Sequence, residues 1–297
     1  MKFETYRDYV AEHLKDYLPE YYQDADLRIM RVCRIGGDYN ALCAERPGVK
    51  HSVSVNLDAF YRAYRHGMDE QEMFRSMARI ITEQENNAPD VGDLEAYASV
   101  RERLFIRICS AEMNKAYLQS APHRCFEDLA MTCHVLIDLP QRSDVFASVT
   151  VRFDMLERYR ITEDQLFEDA LDNSVRVLPA KVQPLREALG ETLTCAVNQR
   201  TLYVVTNSRG VNGAAALFYP GMFEHLAALL GNSYYILPSS IHEVLIVQAE
   251  EEDIAGELEE LVRDVNRRVV DPSERLSDHV YRYDAGTGCF TLAGKAE

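Results

Sequence analysis

The sequence has no long apolar run. No 18-residue window is fully apolar anywhere in the 297 residues, so no transmembrane helix is predicted. The first residues include Glu4 and Asp8, where a secretory signal peptide would need a continuous apolar stretch. We therefore expect a soluble, cytoplasmic protein that has no membrane partner.

Cysteine pairs are missing as well. The chain has seven cysteines, an odd number, and no two of them have the Cys-x-x-Cys spacing of a zinc knuckle. Cys133 and Cys195 stand beside apolar residues, which is typical of small buried thiols. These features argue against a disulfide framework and favour a reducing compartment. We expect neither a bound metal nor a cofactor.

Positive charge is scarce too. The chain has 32 Lys plus Arg residues against 48 Asp plus Glu residues, which gives a formal net charge of −16. A charge of this size repels phosphate backbones, so nucleic acid is disfavoured as a partner. An acidic inhibitor that imitates DNA stays open as an alternative, and it predicts carboxylates in rows on one face of the molecule.

Two familiar site motifs are incomplete. The segment 210–213 contains two glycines but lacks the Gly-x-Gly-x-x-Gly and Gly-Lys-Ser/Thr patterns that bind phosphate groups. His242 and Glu243 begin a His-Glu-x-x-His zinc motif, but Ile246 occupies the place of the second histidine. The sequence therefore predicts neither a phosphate-binding loop nor a zinc protease.

Apolar residues make up 47% of the chain, and their spacing indicates the fold class. Helical spacing recurs in the segments 3–18, 73–81, 166–171 and 254–269. Apolar runs bounded by turn residues predict strands at 27–35, 39–45, 129–139, 145–153, 201–206, 234–237, 244–247, 280–283 and 289–292. Because these strands come as hairpins separated by helices, we predict an α+β fold of mainly antiparallel sheets with helices packed on them.

A linker is indicated at Asn86-Asn87-Ala88-Pro89, a cluster of turn-forming residues. It would separate an N-terminal α+β region, residues 1–85, from a larger α+β region, residues 90–297. The alternative is that the two regions pack as one continuous domain.

Three local predictions concern the larger region. Thr162 to Gln165 has the form of a capping box, in which the Thr side chain caps a helix and Gln165 reaches back to the chain before it. A helix is predicted over Val182–Leu189, closed by Gly190. A strand over Ala214–Tyr219 is expected to pair back on 201–206.

One group of candidate catalytic residues lies within five positions of the sequence: Ser239, Ser240, His242 and Glu243. A hydrolase could use them as nucleophile, base and orienting group, with Asn207 or Asn212 as ligand-binding residues from a neighbouring segment. The competing interpretation is that Pro238-Ser239-Ser240 forms a turn whose hydroxyls bond to nearby backbone groups.

A second candidate group is His123 with Asp128. If a strand begins near Phe126, Asp128 shares a face with Phe126 and Ala130, so its carboxylate is buried and needs a partner. His123 is the candidate partner. The two residues then form either a structural pair or a catalytic dyad.

Several phrases of the sequence resemble the bacterial family called domain of unknown function 5688. They are Leu202–Asn207, Asn212–Ala215, Tyr219–Gly221, Tyr235–Val244 and Leu276–Tyr283, with Asn114, Pro122-His123 and Asp128–Ala130 upstream. The phrase Ile236–Val244 is the most specific. The resemblance implies a shared fold over nearly the whole chain. It carries over no catalytic role, because the family has no established activity.

The sequence shows no complete catalytic or metal-binding constellation. Its leading interpretation is a non-catalytic protein that binds a protein partner or a small ligand. The hydrolase around 239–243 and the acidic DNA mimic are the alternatives from other classes.

Overall fold

A computed structural model of the chain describes residues 1–49, 52–86, 94–137, 146–189, 196–197, 200–238, 240–249 and 254–294. It divides into two compact units, Met1–Asp90 and Val91–Glu297. Most of the proposed linker lies outside the described residues, and the independence of the two regions stays a prediction. Within the described ranges, no helix is both long enough and apolar enough to cross a membrane.

The described residues of the N-terminal unit form three α-helices and one sheet. The helices are α1 (Phe3–His13), α2 (Leu57–Arg65) and α3 (Glu70–Asn86), and the strands are β1 (Asp26–Val32), β2 (Tyr39–Glu45) and β3 (Val53–Asn56). The strands pair antiparallel in the order β1-β2-β3. Asn56 is the N-cap of α2, because its side chain accepts a 3.0 Å hydrogen bond from the Ala59 N–H.

The second unit contains the remaining elements. Its α-helices are α4 (Tyr97–Val100), α5 (Lys115–Leu118), α6 (Phe153–Tyr159), α7 (Glu163–Val177), α8 (Leu185–Ala188), α9 (Met222–Leu230) and α10 (Ala255–Arg268). Its strands are β4 (Leu104–Ser110), β5 (His123–Phe126), β6 (Leu129–Ile137), β7 (Ala147–Thr150), β8 (Ala180–Pro184), β9 (Ala196–Val197), β10 (Arg200–Asn207), β11 (Tyr234–Leu237), β12 (Val244–Gln248), β13 (Tyr281–Asp284) and β14 (Cys289–Leu292).

These strands form two antiparallel sheets. The larger sheet has the order β14-β13-β11-β12-β10-β8, with β9 also paired to β10. The smaller sheet has the order β4-β6-β5, and β7 pairs with the far end of β6 on the same side as β5. The α+β fold with antiparallel sheets is confirmed.

The apolar faces of the two sheets meet in one core. It joins Ile106 of β4 and Val135 of β6 to Val205, Ile236 and Ile246 of the larger sheet. The opposite face of the larger sheet packs against α10 through a separate apolar cluster. The smaller sheet therefore buries one face in the main core.

Three local predictions meet different outcomes. The Thr162 side chain caps α7 by accepting from the Gln165 N–H at 3.2 Å, but the Gln165 side chain bonds to Asp169 and does not reach back. The predicted helix over Val182–Leu189 is wrong at its start. Residues up to Pro184 form edge strand β8, because proline cannot continue a helix but is tolerated at a sheet edge.

The predicted strand over Ala214–Tyr219 is also wrong. Gly213–Phe218 forms a 3₁₀ helix in which every residue is buried. A short run that is apolar on all sides fits a buried strand or a buried helix equally well, so periodicity could not separate the two.

Candidate functional site

Five polar residues that the sequence singles out come together where β10 ends and β12 begins: Asn207, Asn212, Ser240, His242 and Glu243. Gly213 allows this approach, since a Cβ there would lie 2.6 Å from both the Asn207 nitrogen and the His242 carbonyl oxygen. Ser239 lies outside the described residues.

Both ring nitrogens of His242 have partners. Nδ1 lies 3.2 Å from the backbone N–H of Asn212, and Nε2 lies 3.2 Å from Oε1 of Glu274. A backbone N–H can only donate, so Nδ1 is the acceptor and the neutral ring carries its proton on Nε2. That proton points to the Glu274 carboxylate.

Ser240 bonds to its own turn. Its hydroxyl accepts a 3.0 Å hydrogen bond from the His242 backbone N–H and lies 3.4 Å from Oε1 of Glu243. The His242 imidazole has no free nitrogen to accept the Ser240 proton. Ser240 and His242 are therefore brought close together without the nucleophile–base hydrogen bond that a serine hydrolase uses.

The two asparagines have structural contacts of the same kind. Buried Asn207 donates to the Val211 carbonyl and accepts from the Arg209 N–H, both at 2.9 Å. Asn212 adopts a left-handed backbone conformation with φ 54°, which asparagine tolerates better than most residues. The roles of all these residues as ligand or catalytic groups stay predictions.

His123 and Asp128 do not bond to each other. The Nδ1 atom of His123 lies 3.0 Å from the Ala121 carbonyl oxygen. Asp128 stands in the two-residue turn between β5 and β6 rather than inside a strand, and its carboxylate accepts 2.6 Å hydrogen bonds from Ser277 and Tyr281. Burial raises the pKa of Tyr281, and the negative charge of Asp128 raises it further.

The smaller sheet has two faces of opposite chemistry, because successive residues of a strand point to opposite sides. The face in the main core carries Leu104, Ile106 and Ile108 of β4 and Leu129, Met131, Cys133 and Val135 of β6. The other face, here called the polar face, has three cross-strand rows: Cys109, Ala130 and Cys125; Arg107, Thr132 and His123; Phe105, His134 and Thr150.

Tyr117 of α5 reaches onto the polar face. Its hydroxyl lies 3.3 Å from Nε2 of His134 and 3.3 Å from the hydroxyl of Thr150. The Thr132 hydroxyl lies 3.1 Å from the same His134 nitrogen. Thr132 is 0% exposed and His134 is 2% exposed, so these hydrogen bonds are shielded from water.

Two nitrogen atoms at this face are buried without a partner among the described residues. They are Nε of Arg107 and Nδ1 of His134. Burial lowers the pKa of Arg107, and burial together with the positive charges of Arg107 and Arg152 holds the pKa of His134 well below its usual value. The ionisable groups that act on Arg107 within the described chain are Tyr117 and Cys109, neither of which is a carboxylate.

The buried thiol of this face, that of Cys109, is not set up as a nucleophile. Burial raises the pKa of Cys109 to about 12, so the thiol stays protonated near neutral pH. Within the ranges that the structure covers, no group of three or more His, Cys, Asp and Glu side chains is placed to hold a metal ion.

Sequence reasoning missed Arg107, Thr132 and His134 as site residues. The sequence does carry a signal for them. Each is a polar residue inside an apolar run, and each alternates with core residues along its strand. Using it required the pairing of β4 with β6, and the apolar runs of the sequence predict no strand over the residues of β4.

The fold and this site define an α+β protein of antiparallel sheets, in which a buried polar sheet face carries two nitrogen atoms that find no partner within the described ranges. Residues 3–285 match the model of a family described as "Family of unknown function (DUF5688)", and the chain belongs to this family, as the resemblance of its sequence phrases indicated. Comparison with curated proteins and with solved structures gives no match.

Proposed function

We propose that this protein is a non-catalytic binding protein that holds a small ligand at the polar face of its smaller sheet. The observation that carries the proposal is a pair of buried nitrogen atoms, Arg107 Nε and His134 Nδ1, that have no partner among the described residues. The described cysteines are free thiols, which fits the cytoplasm of a bacterial cell as the compartment.

The free-energy cost of burying a polar group supports a binding site at this face. A buried polar group without a hydrogen bond costs about 1–3 kcal/mol, and protein interiors rarely leave such groups unmatched. A sheet face built only for stability would carry apolar residues, as the opposite face of the same strands does. Two unmatched groups on neighbouring strands are therefore more consistent with a binding site than with packing.

The hydrolase alternative has less support. Its residues do lie together, but both nitrogens of the His242 ring are occupied and the Ser240 hydroxyl bonds within its own turn. The acidic DNA mimic remains a prediction.

Ligand retention tests the proposal. The purified full-length chain is dialysed against a bacterial metabolite extract, and the compounds it keeps are released by denaturation and identified by mass spectrometry. The test variant is the double substitution Tyr117→Phe with Thr132→Val, which removes two hydroxyls of the site and nearly preserves shape. Ser240→Ala is the matched control, because Ser240 lies in the group with His242 and Glu243 and not at the polar face.

We expect the wild type and Ser240→Ala to keep the same compound, and the double variant to keep less of it while retaining a native circular dichroism spectrum. Equal retention by all three proteins, or no retained compound at all, would contradict the proposal. Hydrolysis of ester substrates that is lost in Ser240→Ala would favour the hydrolase instead.

A further inference from the structure

Arg107 lies at the centre of the polar face, in the middle of β4. Thr132 of β6 pairs directly with Arg107. His134, two residues further along β6, is the diagonal neighbour of Arg107. The Arg107 side chain is half-buried, with its Nε atom fully enclosed. One part of the guanidinium is thus held in the protein while the side chain as a whole still reaches solvent.

Other arginines of this unit are paired with carboxylates. Arg101 bonds to Asp169 at 2.8 Å, and Arg158 bonds to Glu95 at 2.9 Å. Arg107 differs, because within the described chain no carboxylate acts on it and a second cation, Arg152, contributes to the same region. A chain with a net charge of −16 thus carries at this face an arginine on which no described carboxylate acts.

We propose that the ligand is a small oxyanion, the carboxylate or phosphate group of a metabolite, and that the guanidinium of Arg107 binds it. The inference rests on the proposed binding function. A planar guanidinium offers parallel N–H donors that match two oxygens of a carboxylate or a phosphate, and such charge-assisted bonds are about twice as strong as neutral ones. The anion supplies the partner that Arg107 Nε lacks in the part of the chain that the structure describes.

The neighbouring groups fit an oxyanion better than a cation or a neutral ligand. When the Thr132 hydroxyl donates to Nε2 of His134, the neutral ring carries its proton on Nδ1. This buried Nδ1–H has no partner among the described residues, so it can donate to an oxyanion, and the neutral ring adds no negative charge. A metal ion would be repelled by Arg107. A neutral ligand would leave the partly buried positive charge of Arg107 uncompensated, and a charge removed from water without a partner costs free energy.

Anion titrations of the full-length protein test this inference. The probes are sodium phosphate and sodium acetate, with acetamide as the uncharged counterpart of acetate and with chloride holding the ionic strength constant. Binding is followed by calorimetry and by the melting temperature. Arg107→Met removes the charge and Arg107→Lys keeps it without the planar fork. Arg176→Met is the control, because Arg176 is a surface arginine paired with Glu102.

We expect saturable binding of phosphate, acetate or both to the wild type and to Arg176→Met, and none of acetamide. The anion that binds more tightly tells a phosphorylated ligand from a carboxylic acid. Binding should be at least about tenfold weaker in Arg107→Lys and lost in Arg107→Met. Without ligand, Arg107→Met should melt a few degrees higher than the wild type, since it removes a partly buried charge that has no described carboxylate partner.

Three outcomes would overturn the inference. They are anion binding by Arg107→Met equal to that of the wild type, absence of binding by either anion, and a melting temperature of Arg107→Met below that of the wild type. If the retained metabolite is uncharged and Arg107→Met still keeps it, the anion inference fails while the binding function stands. If nothing is retained and neither anion binds, both fail.

Discussion

The hydroxyl of Tyr281 donates a 2.6 Å hydrogen bond to Asp128, although the two residues stand 153 positions apart. Ser277 donates a second 2.6 Å hydrogen bond to the other carboxylate oxygen. Asp128 lies in the turn of the smaller sheet and Tyr281 begins β13 of the larger sheet. One carboxylate thus joins the two sheets of the unit, which is a structural role rather than the dyad with His123.

Asp128→Asn should destabilise the protein by about 1.5–3 kcal/mol, because hydrogen bonds to a charged group are replaced by bonds to a neutral amide. The free energy of unfolding, measured in urea, checks this. Asp164→Asn is the control. The Asp164 side chain is 94% exposed and its ion pair with Arg124 is superficial, so we expect a change below about 1 kcal/mol. Equal effects of the two substitutions would contradict the assigned role of Asp128.

The pH dependence of stability should report on His134. Burial and the charges of Arg107 and Arg152 hold its pKa in the folded chain well below the usual 6.5. Below about pH 6.5 the unfolded chain therefore binds more protons than the folded chain, and the free energy of unfolding falls as the pH drops, by up to about 1.4 kcal/mol per pH unit.

His134→Leu removes this contribution. Urea unfolding between about pH 7.5 and 5.5 should show a smaller loss of stability in the variant than in the wild type, whatever the absolute stability of the variant. Identical slopes for the two proteins would show that His134 does not remain neutral on folding.

Gly213→Ala should destabilise the protein by roughly 3 kcal/mol or more, or prevent folding. A Cβ at this position would lie 2.2 Å from the Thr206 hydroxyl oxygen and 2.6 Å from two backbone atoms. Gly256→Ala is the matched control, since its Cβ would meet nothing within 4 Å and the residue lies in α10. Alanine there should stabilise the helix by about 1 kcal/mol. Thermal melting of both variants provides the measurement, and a tolerated Gly213→Ala would refute the close packing.

A fragment of residues 1–86 should fold by itself. Its core is built from its own residues, among them Tyr6, Leu42, Leu57, Phe74 and Met77. We expect a cooperative thermal transition by circular dichroism, and the intact chain serves as the reference. A gradual, non-cooperative loss of signal would favour the alternative that the two regions form one continuous domain.

Local patterns predicted much of the fold. The stripe 254–269 became α10, the Thr162 cap became the start of α7, and the paired runs 27–35 and 39–45 became the hairpin of β1 and β2. These predictions succeed because helix periodicity, capping and hairpin turns depend on residues close in sequence. Segments that are apolar on all sides, such as 214–219, carry no such signal.

The candidate sites also differ in whether their residues are neighbours in the sequence. His242, Ser240 and Glu243 were found because they are sequence neighbours, yet the structure alone shows that Glu274 and the Asn212 N–H occupy the His242 ring. The polar face was missed, because Arg107 and His134 become neighbours only through strand pairing.

The sequence by itself determined the acidic charge, the α+β class, the family and most element positions, since composition and short-range periodicity carry that information. Tertiary structure alone decided which polar residues lie together. The register of β4 on β6 places Arg107 beside Thr132 and His134 and encloses them under Tyr117, and a register shift of one residue would have turned the same side chains to the opposite face.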